Sequence, residues 1–146
     1  MKPLPLKALT LWPEWAWAIV HLGKRVENRT WKPFLPVGTT FAIHAGKHLG
    51  GKPGAASARE AEDDVFSMYG AQLPPGLRAC PKSAIVCLAT IAGYDQDDVT
   101  PWDVPGLWHW RLTDVRVLVE PVPCHGRQGL WTVDGSVERA VLRAAP

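Results

Sequence analysis

The sequence predicts a small α+β fold in which short strands outnumber helices, and three observations carry that expectation. Fourteen prolines and thirteen glycines in 146 residues interrupt the chain too often for long helices. Apolar residues make up 47% and charged residues 21%, a composition that fills a core rather than staying disordered. Helical and strand periodicities alternate with short connections, which favours α+β over a doubly wound parallel sheet. A chain of this length is expected to form one domain, residues 1–146.

The elements follow in order. Residues 7–12 (KALTLW) mix apolar and β-branched side chains as a short strand does. Pro13 suits a first helical turn, Trp15, Ala18, Ile19 and Leu22 recur at helical spacing, and Gly23 is a natural stop. Residues 25–31 (RVENRTW) alternate, so a strand there puts Arg25, Glu27, Arg29 and Trp31 on one face. A loop marked by Pro33, Pro36 and Gly38 leads into a strand over 39–45. Residues 49–54 are glycine-rich and 55–69 are helix-forming in composition. Residues 83–94 (SAIVCLATIAGY) form the most apolar strand and are expected at the sheet centre. Residues 95–106 form an acidic loop, in which Asp95, Asp97 and Asp98 are expected to make a solvated turn rather than a cation site. Residues 108–120 predict one strand, or two broken at Thr113–Asp114, stopped by Pro121 and Pro123. Residues 130–133 suit an edge strand and 137–144 a short closing helix.

The net charge of +2 conceals an uneven distribution. Residues 1–52 carry eight Lys or Arg against Glu14 and Glu27, a balance of +6, whereas residues 53–146 carry eight bases against twelve acids, a balance of −4. Positive charge gathered on one face would attract a phosphate or another anion. Cys80, Cys87 and Cys124 are odd in number and lack framework or zinc spacing, so neither a disulfide scaffold nor a metal site is expected. Pro3, Pro5, Pro13 and Glu14 interrupt any leader-like core, and no apolar run approaches the roughly 20 residues that cross a bilayer. The expectation is a cytoplasmic protein without cofactor and without membrane contact.

Residues 11–47 hold the chemistry. Lys24, Glu27 and Arg29 form K-x-x-E-x-R, followed by Trp31 and by the run Ile43-His44-Ala45-Gly46-Lys47. Arg29 can fork two donors onto a phosphate or carboxylate. Glu27 between two cations would stay charged and fix one of them in place. Trp12, Trp15, Trp17 and Trp31 offer flat faces on which a base can stack, Trp31 and Trp17 foremost. The same three charged residues would equally suit a surface ion network, and the tryptophans ordinary packing.

The run LTLWPEWAWAIVHLGKRVENRTW, with FAIHAGK and the later WRLTDVR, PVP and GLW, resembles the ASCH family of the PUA-like superfamily over about residues 7–133. The resemblance implies a small, partly open β-barrel with flanking helices. It also implies a cleft between the first helix and the sheet that binds RNA, single-stranded DNA or a nucleotide, a modified base included. Position by position it nominates Lys24, Glu27 and Arg29, with His44 and Lys47 nearby. One departure concerns the turn: the family's glycine stands two residues before the lysine, where this chain has Leu22, with Gly23 next to Lys24. A catalytic branch of similar fold removes an acyl group from acetylated cytidine with a lysine, a threonine and a glutamate. Lys24 matches that lysine, but Glu27 occupies the threonine position, and two flanking cations weaken it as a base. Binding therefore ranks ahead of metal-independent hydrolysis of an acylated nucleoside by Lys24 and Glu27.

Overall fold

The computed structural model describes residues 5–47 and 80–146. The expected glycine-rich stretch and the helix over 55–69 lie outside the described residues. Among the described residues six strands and two helices follow in the order β1 (Lys7–Leu11), α1 (Pro13–His21), β2 (Val26–Arg29), β3 (Thr40–Ala45), β4 (Ala84–Asp95), β5 (Trp108–Pro123), β6 (Leu130–Thr132) and α2 (Gly135–Ala144). One curled sheet, a partly open barrel, holds all six strands in the order β2-β5-β4-β3-β1-β6. The β1–β3 pair is parallel and every other pair antiparallel.

Two apolar layers sandwich the middle of this sheet. Leu9, Leu11, Phe41, Ile43, Cys87 and Ile91 face α1, where Ala16 and Ile19 meet them. Ala8, Ala42, Ile85, Leu88 and Leu118 face the other way, toward Trp131 and Val141 of α2. Burial on both faces explains why β3 and the first half of β4 read as continuous apolar runs rather than alternating ones. The expected central position of residues 83–94 is what the sheet order shows.

Where boundaries differ from the sequence reading, the reasons are local. The first strand stops at Leu11 because Trp12 is the extended N-cap that precedes Pro13. Strand β5 is continuous, the first of the two readings, and Thr113–Asp114 shows only as Asp114 at φ 48° and as shifts of register against β4. It also runs on through Pro121 and Pro123. Strand β2 pairs only with residues 108–111, so farther along β5 bonds to β4 alone and a missing N–H is tolerated. Among the described residues no helix is long and apolar enough to cross a membrane.

Candidate functional site

The end of α1 sets the position of the site. Gly23 adopts φ 70°, a left-handed conformation suited to glycine, and turns the chain so that the Lys24 N–H returns to the Ala18 carbonyl at 3.2 Å. Arg25 covers the same helix end by donating to the carbonyls of Ile19 and Lys24. The chain then enters β2, a short strand whose Arg29 reaches the Thr10 carbonyl of β1. The shifted glycine therefore does not keep Lys24 out of the site: its side chain turns inward and is only 3% exposed.

Between α1, β2 and the 96–107 loop lies a cleft of about 630 Å³, lined among others by Thr10, Trp12, Trp15, Lys24, Glu27 and Arg29, and on the loop side by Trp102 and Asp103. That volume falls in the range of ordinary small-molecule pockets. Lys24 Nζ donates to the Val26 carbonyl at 2.6 Å and stands 3.7 Å from Glu27 Oε1. It also lies over the rings of Trp15 and Trp102, at 5.5 and 5.9 Å. Burial pushes its amine below the ordinary lysine range and Arg29 adds to that depression, while Glu27 opposes it. Arg29 Nη2 donates to Glu27 Oε2 at 3.2 Å and to the Thr10 carbonyl at 3.0 Å. Among the described residues its buried Nε has no hydrogen-bond partner. Trp12, 40% exposed, presents an open indole at the cleft.

The loop wall is held from behind. Asn28 donates from Nδ2 to the Trp102 carbonyl at 2.9 Å, and its Oδ1 accepts from the Val104 N–H and from His109. Asp103 accepts from the amides of Val99 and Thr100, from the Thr100 hydroxyl, and from Arg111. Arg111 also binds Asp95, and His109 meets Asp98 at 2.9 Å. Burial works to raise the Asp103 carboxyl, yet the donors around it, Arg111 first, hold it well below the usual carboxylate range. The hydrogen bond from Arg111 does the same for Asp95. Asp97 and Asp98 are exposed, as in a solvated turn, whereas Asp95 and Asp103 are held by the guanidinium that β5 contributes and make the loop an anchored wall.

Of the seven residues nominated from sequence, Lys24, Glu27 and Arg29 meet in the cleft and four do not. Trp17 packs on His21 and lines a small apolar pocket between α1 and β5. His44 is buried on the opposite face of the sheet, bonded to Thr10 and to the Cys124 carbonyl and packed against Trp131. Lys47 is exposed just past the end of β3 and is not part of the cleft lining. Trp31 lies beyond Arg29, in a neighbouring hollow with Phe34. The residues that sequence reasoning missed are Asn28, Trp102 and Asp103. Trp102 had a signal: the apolar run PWDVPGLW breaks an otherwise acidic loop and is too hydrophobic to be left in solvent.

The sequence matches no protein-family model and no curated protein. In structure the chain is similar to the crystal structure of ASCH from Zymomonas mobilis, at 13% identity with a TM-score of 0.58, covering 97% of this chain and 96% of that one. A crystal structure of a point variant of that protein is similar at 14% identity and TM-score 0.58, covering 98% of this chain and 100% of that one. At this identity the likeness establishes the fold, the partly open barrel with flanking helices seen in ASCH structures.

Proposed function

We propose that this protein binds a nucleotide, as part of RNA or single-stranded DNA or free in solution, in the cleft between α1, β2 and the 96–107 loop. One observation carries the reading: Lys24, Glu27 and Arg29 converge in a nucleotide-sized, indole-lined cleft where a buried guanidinium donor lacks a partner among the described residues. An unsatisfied buried donor costs about 1–3 kcal/mol, which a ligand oxygen would recover. Arg29 is the residue that meets an anionic or carbonyl oxygen, Glu27 accepts from a base N–H, and Trp12 stacks. Lys24 is enclosed by Trp15, Trp102 and the Val26 carbonyl, so its part is to fix Glu27 and the local field. The test is titration of tryptophan fluorescence and calorimetric heat with nucleotides and short oligonucleotides at low salt. Saturable binding that is lost in Arg29→Met supports the reading, and a flat response in both signals overturns it.

A second reading rests on Lys24 itself. A desolvated amine with a lowered pKa, 3.7 Å from a carboxylate, has the character of a catalytic base. In this reading Lys24 and Glu27 direct water onto the acyl carbon of an N-acylated nucleoside, releasing a carboxylic acid and the free amine. Chromatography after incubation with N-acetylated cytidine separates the two readings. Turnover without added metal that disappears in Glu27→Gln favours hydrolysis, and an unchanged substrate favours binding alone.

A further inference from the structure

Beyond Arg29 the surface continues into a second hollow of about 720 Å³, lined by Lys7, Trp31, Phe34, Leu35, Gly129 and Leu130. Phe34 is 80% exposed, yet it is held in place, its ring stacked on Trp31 at 5.6 Å between centroids and 18° between planes. Trp31 is itself fixed from beneath: its carbonyl accepts from the buried Trp110 indole at 3.0 Å, and the two rings meet edge to face at 4.9 Å. The outer face of Phe34 is therefore a rigid aromatic platform open to solvent. Arg29 joins the two hollows, since it lines the cleft while its guanidinium carbon lies 5.9 Å from the Trp31 ring.

The chain stretches that line the second hollow carry charge of one sign. No acidic residue occurs from Asn28 to Lys47 or from Pro121 to Val133. Those two stretches and β1 supply Lys7, Arg29, Lys32 and Arg127, with Lys32 Nζ 4.8 Å from the Trp108 ring and Arg127 exposed two residues before Gly129. An aromatic platform with cations beside it, Lys7 in the hollow and Arg29 at Trp31, fits stacked bases joined by phosphates. An apolar peptide would leave those charges unused, and a free nucleotide in the cleft would leave Lys7 and the Phe34 face unused.

We propose that the Trp31–Phe34 hollow is a second nucleotide subsite, so that the ligand is a single strand that places one base in the Lys24–Glu27–Arg29 cleft and stacks a neighbouring base on Phe34. Arg29 then holds the phosphate between the two. The inference rests on the cleft being a nucleotide site, and its test separates the two claims. Calorimetry at low salt compares a nucleoside monophosphate with a six-residue single-stranded RNA and DNA of the same base. The oligomers are expected to bind at least roughly tenfold more tightly than the monophosphate, the gain of one base–aromatic stack. Phe34→Ala, at a side chain too exposed to disturb the core, should remove most of that gain and leave the monophosphate unchanged, and Phe34→Trp should restore it. Equal affinities for monomer and oligomer, or a Phe34→Ala protein that binds oligomers as the parent does, would overturn the second subsite while leaving the cleft intact. Oligomer binding that does not weaken as salt rises would also overturn it. Absence of any binding would remove both sites.

Discussion

Arg111 donates to both carboxylate oxygens of Asp103, at 2.8 and 3.0 Å, and so fastens the outer wall of the cleft to the central sheet. The same guanidinium takes both oxygens of Asp95, which closes the base of the loop. Asp103→Asn keeps the shape but removes the charge, and is expected to cost about 1–3 kcal/mol and to lower Tm by about 3 °C or more. Ligand affinity should fall with it, because Trp102 moves with the loop. The pH dependence has a defined sign. Both carboxyls lie below their ordinary values in the folded protein, so the unfolded chain takes up these protons first. Their stabilisation is complete above about pH 4 and is lost as the pH falls through the lowered values. Thermal melts between pH 7 and pH 3 check this, and Arg111→Met should flatten the acid limb.

Glu27 is flanked by two cations, and the two ways of breaking that triad are unequal. Glu27→Gln removes the nearest carboxylate from buried Lys24 and from Arg29, leaving Lys24 only the more distant Asp103, a loss of about 3 kcal/mol. Lys24→Met removes a desolvated charge, and Glu27 keeps Arg29, so stability should stay within about 1 kcal/mol of the parent. Chemical denaturation of the two variants decides the matter. Equal losses would mean that the triad is too hydrated to behave as a buried network.

The fold was legible because local signals agreed with one another. Pro13 and Gly23 bracket α1, residues 84–95 lie at the centre of the sheet, and residues 130–132 form its edge, as patterning and turn residues indicate. The site was legible only where it is local. Lys24, Glu27 and Arg29 fall within six residues and share a turn and a strand, so their spacing carries their convergence. Trp17 and His44 misled because periodicity gives the face of an element and not the neighbour that covers it: Trp17 faces β5 and His44 faces Trp131. The opposite wall of the cleft was out of reach, since its anchors pair Asn28 with Trp102 and His109, and Arg111 with Asp95 and Asp103. No spacing rule links residues that meet only after the sheet has formed.

If Arg29 contacts a phosphate, affinity for an oligonucleotide should fall linearly on logarithmic axes as salt rises, with a slope of about −0.7 for each contact with a single strand. Arg29→Met should then flatten the slope by about one contact as well as weakening binding. Lys24→Met should weaken binding through Glu27 with little change in slope, because its amine is enclosed by two indoles and a carbonyl. Affinities measured from 50 to 300 mM salt test both statements. A steeper slope change for Lys24 than for Arg29 would reverse the assignment.

His44 forms the middle of a hydrogen-bonded chain on the far side of the sheet from the cleft. Its Nε2 lies 2.8 Å from the Cys124 carbonyl, which can only accept, so that nitrogen carries the proton. Nδ1 then accepts from the Thr10 hydroxyl at 3.2 Å, and that hydroxyl in turn accepts from the Trp131 indole at 3.1 Å. Burial pushes the imidazole below its ordinary range, and neighbouring His125 adds to the effect, against the pull of the Cys124 carbonyl. Charging it would put a second proton where Thr10 now donates. The unfolded chain accepts the proton near pH 6.5 while the folded one still refuses it, so stability is lost as the pH falls from 6.5 toward the lowered value. His44→Gln, which can donate to Cys124 through its amide, should be less stable at pH 7.5 yet lose less on going to pH 5.5. The seal over this chain is Gly126, where a methyl group would stand 2.6 Å from the Thr10 hydroxyl oxygen and 2.7 Å from the imidazole. Gly126→Ala should therefore cost about 1–3 kcal/mol, despite the exposure of the residue, by forcing those groups apart. Melting curves at the two pH values for the parent and both variants give the answer, and a parent Tm that does not fall between pH 7.5 and 5.5 would show that His44 plays no part in acid sensitivity.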